Sequence, residues 1–201
     1  MSIFKKILKW AGLVILGAYI LLVIYRMFVL QGEKNTNEQV AKIHATKLSL
    51  DDVMGKNLPK DPGALADKTV QGVDANKNGI RDDVELAIFK EYPNSAKTRA
   101  VLLQYALVLQ TQMTLPVVNK KTVTATVEDG DRAVHCIWSI SSRSDMKRFD
   151  EETTKNEDFV KKLQINTEQR DKYQSDIYKN LGSYTSPGAD GCDLSLSSLP
   201  N

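Results

Sequence analysis

The chain has 201 residues, and its 27 Lys and Arg stand against 25 Asp and Glu for a formal net charge of +2. That length holds one domain of ordinary size with an anchor and a linker. So even a balance, with no long single-sign run and no aromatics interleaved with basic residues, argues against a nucleic-acid partner.

The first thirty residues predict a membrane anchor. Lys5, Lys6 and Lys9 precede an uncharged run from Trp10 to Tyr25, and Met27 to Leu30 extends it past Arg26. As a helix, Trp10 to Leu30 is about 31 Å long at 1.5 Å per residue, which matches a hydrocarbon core. Arg26 lies near one end, where it can snorkel to the headgroups. The excess of lysines before the span predicts a cytoplasmic amino terminus and a domain on the far side. A cleaved signal peptide would need small residues shortly after the apolar core. Gly17 and Ala18 are mid-span, and Gly32 has Leu30 two positions before it, so an uncleaved anchor over residues 1–30 is expected.

Residues 31–68 turn polar and carry the breakers Gly55, Pro59, Pro62 and Gly63. They read as a stalk. Within it Val40, Ile43 and Leu48 keep helical spacing, and Ser49-Leu50-Asp51-Asp52 resembles a capped short turn ending at Gly55. The exported domain is expected over residues 69–201.

At its start, Asp74 to Glu85 fits the pattern D-x-[DN]-x-[DN]-G-x₅-E at every specified position. Ca²⁺ takes six to eight oxygens at about 2.3–2.6 Å from a chain that curls round it. Asp74, Asn76 and Asn78 offer side-chain oxygens, Ile80 its backbone carbonyl, Asp82 a direct or water-mediated contact, and Glu85 two oxygens. Gly79 permits the left-handed turn that brings Ile80 round. Asp83 is better placed to favour the positive end of the following helix than to touch the ion. The bland alternative, an Asx-rich turn leading into a helix, explains Asn78-Gly79 but not the joint spacing of Asp74, Asn76, Asp82 and Glu85. So many protein ligands leave little room for retained waters, which favours Ca²⁺ over Mg²⁺. With charge only on Asp74, Asp82 and Glu85, the affinity is expected at the weak, extracellular end, about 10⁻⁴ to 10⁻³ M.

The residues before the loop, Thr69-Val70-Gln71-Gly72-Val73, give no ordinary entering helix, and there is no second loop to pair with. On these residues the segment resembles the loop-helix variants of the EF-hand, such as the thrombospondin type 3 and dockerin-like calcium loops. More narrowly, Gly72 to Glu85 looks like a family of bacterial membrane-anchored envelope proteins that carry this loop ahead of a helical domain. The resemblance implies an inner-membrane anchor, a periplasmic setting and a largely α domain. It transfers no catalytic residue.

Beyond the loop, Val84, Ala87, Ile88 and Glu91 predict an exiting helix stopped by Pro93. Asn94 can cap the next helix, Ser95 to Met113, whose run Ala100 to Leu109 is apolar nearly all round. It is too short to cross a bilayer and reads as the central buried helix. Thr122 to Ser141 fits two patterns. Val123, Ala125 and Val127 alternate, as do Val134, Cys136, Trp138 and Ile140, with Glu128 to Asp131 as a hairpin turn; the same stretch also holds helical offsets, and helix is favoured. Arg143 to Leu163 and Thr167 to Leu181 have helix-like spacing, with Gly182 as a stop. The fold class expected is mainly α: one transmembrane helix, then a small helical domain with an EF-hand-like site.

Cys136 and Cys192 lack the spacing of zinc or redox chemistry, and an oxidising compartment favours a bridge between them. His44 reads as a stalk surface residue. Neither G-x-S-x-G, H-E-x-x-H nor a phosphate loop is present. The leading expectation is a calcium-binding structural or interaction module that engages another envelope protein, one form being an immunity protein against an envelope-acting toxin. The alternatives are a hydrolase with dispersed acids and a calcium sensor.

Overall fold

A computed structural model describes residues 2–186 and 191–200. All regular structure among the described residues is helical. The chain divides into two units, one reaching Gln39 and one beginning at Val40.

The first unit is the greater part of a single helix, α1 (Ser2–Ala45). Its apolar side chains are largely exposed: Leu13 is 59% exposed and Phe28 74%. The helix is long and apolar enough to cross a membrane, with a mean hydropathy of 2.5 in its most apolar window. It does not stop at Leu30. Gln31 Nε2 donates to Asn35 Oδ1 at 2.8 Å and Lys34 pairs with Glu38 at 3.8 Å, neighbours at i, i+4 that keep a polar helix going.

The second unit forms round α4 (Ala96–Met113), in which only Lys97, Thr98 and Thr111 escape burial. Ser95, rather than Asn94, caps it: its extended backbone sets Oγ 3.2 Å from the Thr98 N–H, which donates to it. Onto this helix pack α2 (Leu50–Val53), α3 (Asp82–Glu91), α5 (Lys120–Trp138), α6 (Met146–Gln164) and α7 (Glu168–Tyr178). The main core joins Val53, Ile80, Val84 and Ile88 to Leu102, Leu103, Ile137 and Val160. A smaller one holds Ile43, Leu115, Val123 and Ile177 together.

Three of the polar side chains buried on α4, Arg99, Gln104 and Gln110, fasten different peripheral segments by bonding their backbone groups. Arg99 donates to Val53 O at 3.1 Å and to Tyr92 O and Pro93 O at 2.9 and 2.7 Å. Gln104 donates to Gly191 O at 2.6 Å and accepts from Asp193 N at 2.8 Å. Gln110 donates to Gln71 O at 2.7 Å. The apolar helix is thus also the frame on which the loops hang.

Residues 40–68, whose composition reads as a stalk, belong to this second unit. Ile43, Leu48, Val53 and Ala66 are all buried there. The segment is polar because few of its positions face inward, not because it lacks a place in the core. The segment Thr122 to Ser141 is helical almost throughout, as favoured, and Gly130, which the alternative reading put in a hairpin turn, lies inside α5. Helical spacing puts Val123, Ala133, Cys136 and Ile137 on the buried side together, whereas alternation would have left part of that set facing water. Helix α7 ends at Tyr178, short of Gly182, and loose turns at Asn180 and Leu181 carry the chain on.

Cys136 on α5 and Cys192 in the tail are placed at disulfide-bond distance, with Cα atoms 4.8 Å apart and a separation of 56 positions in sequence. Closing such a loop stabilises the fold by about 4 kcal/mol in the chain-entropy model. Cys136→Ser should therefore lower the denaturation free energy by several kcal/mol, and reductant should do the same to the wild type. Two thiols that alkylate freely in the untreated oxidised protein would contradict the bond.

Candidate metal centre

The loop from Asp74 to Glu85 is shaped by its own side chains. Lys77 and Gly79 adopt positive φ, 59° and 84°, so the chain reverses twice within three residues. Gly79 is needed twice over, since a Cβ there would also meet Leu107 Cδ1 at 2.7 Å. The Asp82 N–H donates to Val73 O at 2.9 Å and closes the base of the loop. Ile80 is wholly buried in the main core, which anchors the middle of the loop while α3 departs from Asp82.

Each predicted side-chain ligand accepts from a loop donor. Asp74 takes Asn78 N–H and Gly79 N–H at 3.2 and 3.0 Å. Asn76 Oδ1 accepts from Asn78 N at 3.3 Å, and Asn78 Oδ1 from Ile80 N at 2.9 Å. Asp82 accepts from Ala75 N at 3.0 Å, and Glu85 Oε2 from Asn76 Nδ2 at 3.1 Å. The bonds to Asp74, Asn76 and Asn78 are local side-chain to backbone bonds that curl the chain, whereas those to Asp82 and Glu85 draw the start of the loop to its end. As they stand, no three His, Cys, Asp or Glu side chains among the described residues converge as a metal-holding group. Of the six predicted positions three are acids, two are neutral amides and one is a backbone carbonyl, and the three carboxylates accept from donors of the loop.

Asp82 and Glu85 are each 1% exposed, and neither forms an ion pair with Lys, Arg or His among the described residues. The charges acting on them are themselves acidic: Asp74 and Asp83 on Asp82, Asp52 and Asp82 on Glu85. Burial pushes the Glu85 carboxyl up to about 7, against the opposing pull of the Asn76 and Asn78 amides. Burial raises Asp82 as well. Two acids withdrawn from water with no cationic partner are costly to ionise, and a divalent ion in the loop would remove that cost. The residues present therefore fit a hard, oxygen-seeking cation: Asp74, Asn76, Asn78, the Ile80 carbonyl, Asp82 and Glu85 would hold it.

Asp83 lies in the first turn of α3, at the positive end where it is expected, and has a side-chain partner as well. It accepts from Arg81 Nε and from a terminal Arg81 nitrogen at 2.6 and 2.9 Å, a bidentate pair. Arg81 is wholly buried and also donates to Leu163 O and Gln164 O at 2.6 and 3.0 Å. It bolts the loop to the carboxy-terminal end of α6. Gly72, at φ 68°, leaves room for the Arg81 side chain and for Ala66 O, which a Cβ would approach to 3.0 Å. Arg170 does the matching work for residues 66–70, donating to Val70 O at 2.9 Å and Thr69 O at 3.1 Å and pairing with Asp67 at 2.6 Å. That pairing holds the Asp67 carboxyl below its usual range. Nothing in the spacing of Arg81 or Arg170 marks these roles, because their partners are backbone carbonyls 80 to 100 residues away in sequence.

Elsewhere, His44 lies between Glu128 and Asp129 at 3.7 and 3.4 Å, and Arg132 shares Asp129 at 3.4 Å. His135 stacks on Trp138 with ring centroids 4.8 Å apart, and its neighbour Cys136 is committed to Cys192. An open groove between Ser95, Lys97, Thr98, Ser139, Ile140, Leu196 and Ser197 presents hydroxyls and one ammonium. Compared with family models, with curated proteins and with solved structures, the chain matches none of them.

Proposed function

We propose that this chain is a membrane-anchored protein whose domain outside the cytoplasm binds one Ca²⁺ in the loop from Asp74 to Glu85 and uses it to hold that domain in shape. The observation that carries the reading is the pair of buried carboxylates, Asp82 and Glu85, in a loop with calcium-type spacing and no cationic partner. A weak site suits a compartment rich in Ca²⁺, and reinforcement, rather than sensing, suits a loop that has no paired second loop to reorganise. Exposed Leu50, Met54, Leu58 and Leu65, lying close together in sequence, support an interaction role with another envelope protein. The apolar length of α1 with Lys5, Lys6 and Lys9 before it supports single-pass anchoring with the amino terminus inside. The cysteine pair supports an oxidising compartment such as the bacterial periplasm.

Calcium should raise the melting temperature in a saturable way, because a ligand of the folded state alone stabilises it by RT ln(1 + [L]/Kd). At about 2 mM Ca²⁺ and a Kd of about 0.1 mM this is roughly 1.8 kcal/mol, or a rise of about 4–7 °C for a domain of this size. Glu85→Gln, which keeps size and helix propensity but removes charge, should abolish the rise, and Mg²⁺ should give less of it. An unchanged melting temperature in the wild type, or an equal rise in Glu85→Gln, would sink the calcium reading.

For topology, a reporter that functions only outside the cytoplasm should be active when fused after Leu199, on a chain that retains its amino-terminal helix. Activity of a cytoplasm-dependent reporter at the same position would reverse the orientation.

A further inference from the structure

We infer that α2 and the turn after it, residues 49–57, complete the calcium centre in place of the absent entering helix, with Asp52 as the positioning residue for Asn78. This rests on the calcium reading above and adds to it a role for a segment outside the twelve-residue loop.

An amide has one oxygen and one NH₂ group, and only the oxygen binds a hard cation. Which atom faces the loop depends on what holds the other. Asn78 Oδ1 takes the Ile80 N–H at 2.9 Å, while its Nδ2 faces Asp52 Oδ1 at 3.5 Å. Asn76 Oδ1 takes the Asn78 N–H at 3.3 Å, while its Nδ2 donates to Asn57 O at 3.0 Å and to Glu85 Oε2 at 3.1 Å. Turning either amide over would set its oxygen against a carboxylate or carbonyl oxygen. The acceptors on 49–57 therefore select the orientation that leaves the amide oxygens for the ion. This is how groups behind a metal ligand tune it.

Residues 49–57 are held in place by contacts independent of the loop. Val53 is wholly buried in the main core, and Arg99 Nε donates to its carbonyl at 3.1 Å. Asp52 Oδ2 accepts the Ser49 N–H at 3.1 Å in a capping box, which leaves Oδ1 to face Asn78. Gly55, at φ 69°, lets the turn sit on Phe89 of α3, where a Cβ would meet the ring at 2.8 Å. The segment thus touches both the loop and the helix that carries Glu85. Asp52 also adds a fourth negative charge beside the site without being counted among the ligands.

Two consequences follow from linkage, since two groups that favour the same arrangement strengthen each other. Removing the Asp52 charge weakens Ca²⁺ binding, and Ca²⁺ makes 49–57 harder to open. The exposed Lys56 offers trypsin a bond that is cut only when this turn lifts away.

The test uses the full chain in detergent micelles. Calcium affinity is measured by titration calorimetry for the wild type, Asp52→Asn, Asp51→Asn and Ser49→Ala, and cleavage after Lys56 is followed with Ca²⁺ and with chelator. Asp52→Asn should weaken Ca²⁺ about 10-fold and erase a severalfold calcium protection of the Lys56 bond. Asp51→Asn, an equal charge change on the same turn that faces Lys56 instead, should shift affinity by less than about 2-fold, because an exposed charge is screened. Ser49→Ala breaks the cap but keeps the Asp52 carboxylate, and should also stay within about 2-fold. Equal affinities for Asp52→Asn and Asp51→Asn would overturn the inference while leaving the calcium site standing. So would a Ser49→Ala loss as large as that of Asp52→Asn, which would reduce Asp52 to a helix cap. A wild type that does not bind Ca²⁺ would remove both.

Discussion

Two carboxylates, Asp82 and Glu85, sit inside the domain beside other acids and, among the described residues, without a cationic side chain of their own. Their placement is not an accident of a loose surface loop. Ile80, Val84 and Ile88 are fully buried around them, so the register that packs the core also draws Asp82 and Glu85 out of water. A chain that buries acids in this way must either protonate them or supply a positive charge. Under the proposed reading, an ion in the loop from Asp74 to Glu85 would meet that need in place of a side chain.

The handling of the buried cations makes the contrast sharper. Arg81 and Arg170 are both wholly buried, yet each is surrounded by carbonyl oxygens and a carboxylate. Arg81 is next to Asp82 in sequence but spends its guanidinium on Asp83 and the end of α6. The loop therefore keeps its positive charge on the outside of the site and its negative charge within. Arg81, Asn166, Asp67 and Arg170 are joined by hydrogen bonds, which ties the loop, residues 66–70 and the α6–α7 junction into one polar network. Such networks are stiff when all members are satisfied. Ordering of the loop by an ion would be felt at the far end of that network through Arg81.

Much of this was legible in the residues alone. The apolar length of α1, the all-round apolar character of α4 and the exit helix after the loop follow from periodicity and length, which need no tertiary information. Cys136 and Cys192 could be paired because the chain has no other cysteine. The twelve loop positions are legible because coordination imposes a spacing on one short stretch. What could not be read depends on contacts distant in sequence. Asp52 stands out as a cap residue, but its second oxygen meets Asn78, 26 positions on, only once the intervening chain has folded. Residues 40–68 looked like linker because a few buried positions, Ile43, Leu48, Val53 and Ala66, are diluted among polar ones. At α5 two periodicities competed, and packing against α4 decided for the helix.

The most direct test of the central claim is a crystal grown with Ca²⁺ and measured for anomalous scattering. The account requires a single strong peak inside the loop, with oxygens of Asp74, Asn76, Asn78, Ile80 and Glu85 at about 2.3–2.6 Å from it. Crystals from millimolar Ca²⁺ with no anomalous peak in that loop, and with Asp82 and Glu85 still bonded only to loop donors, would contradict it.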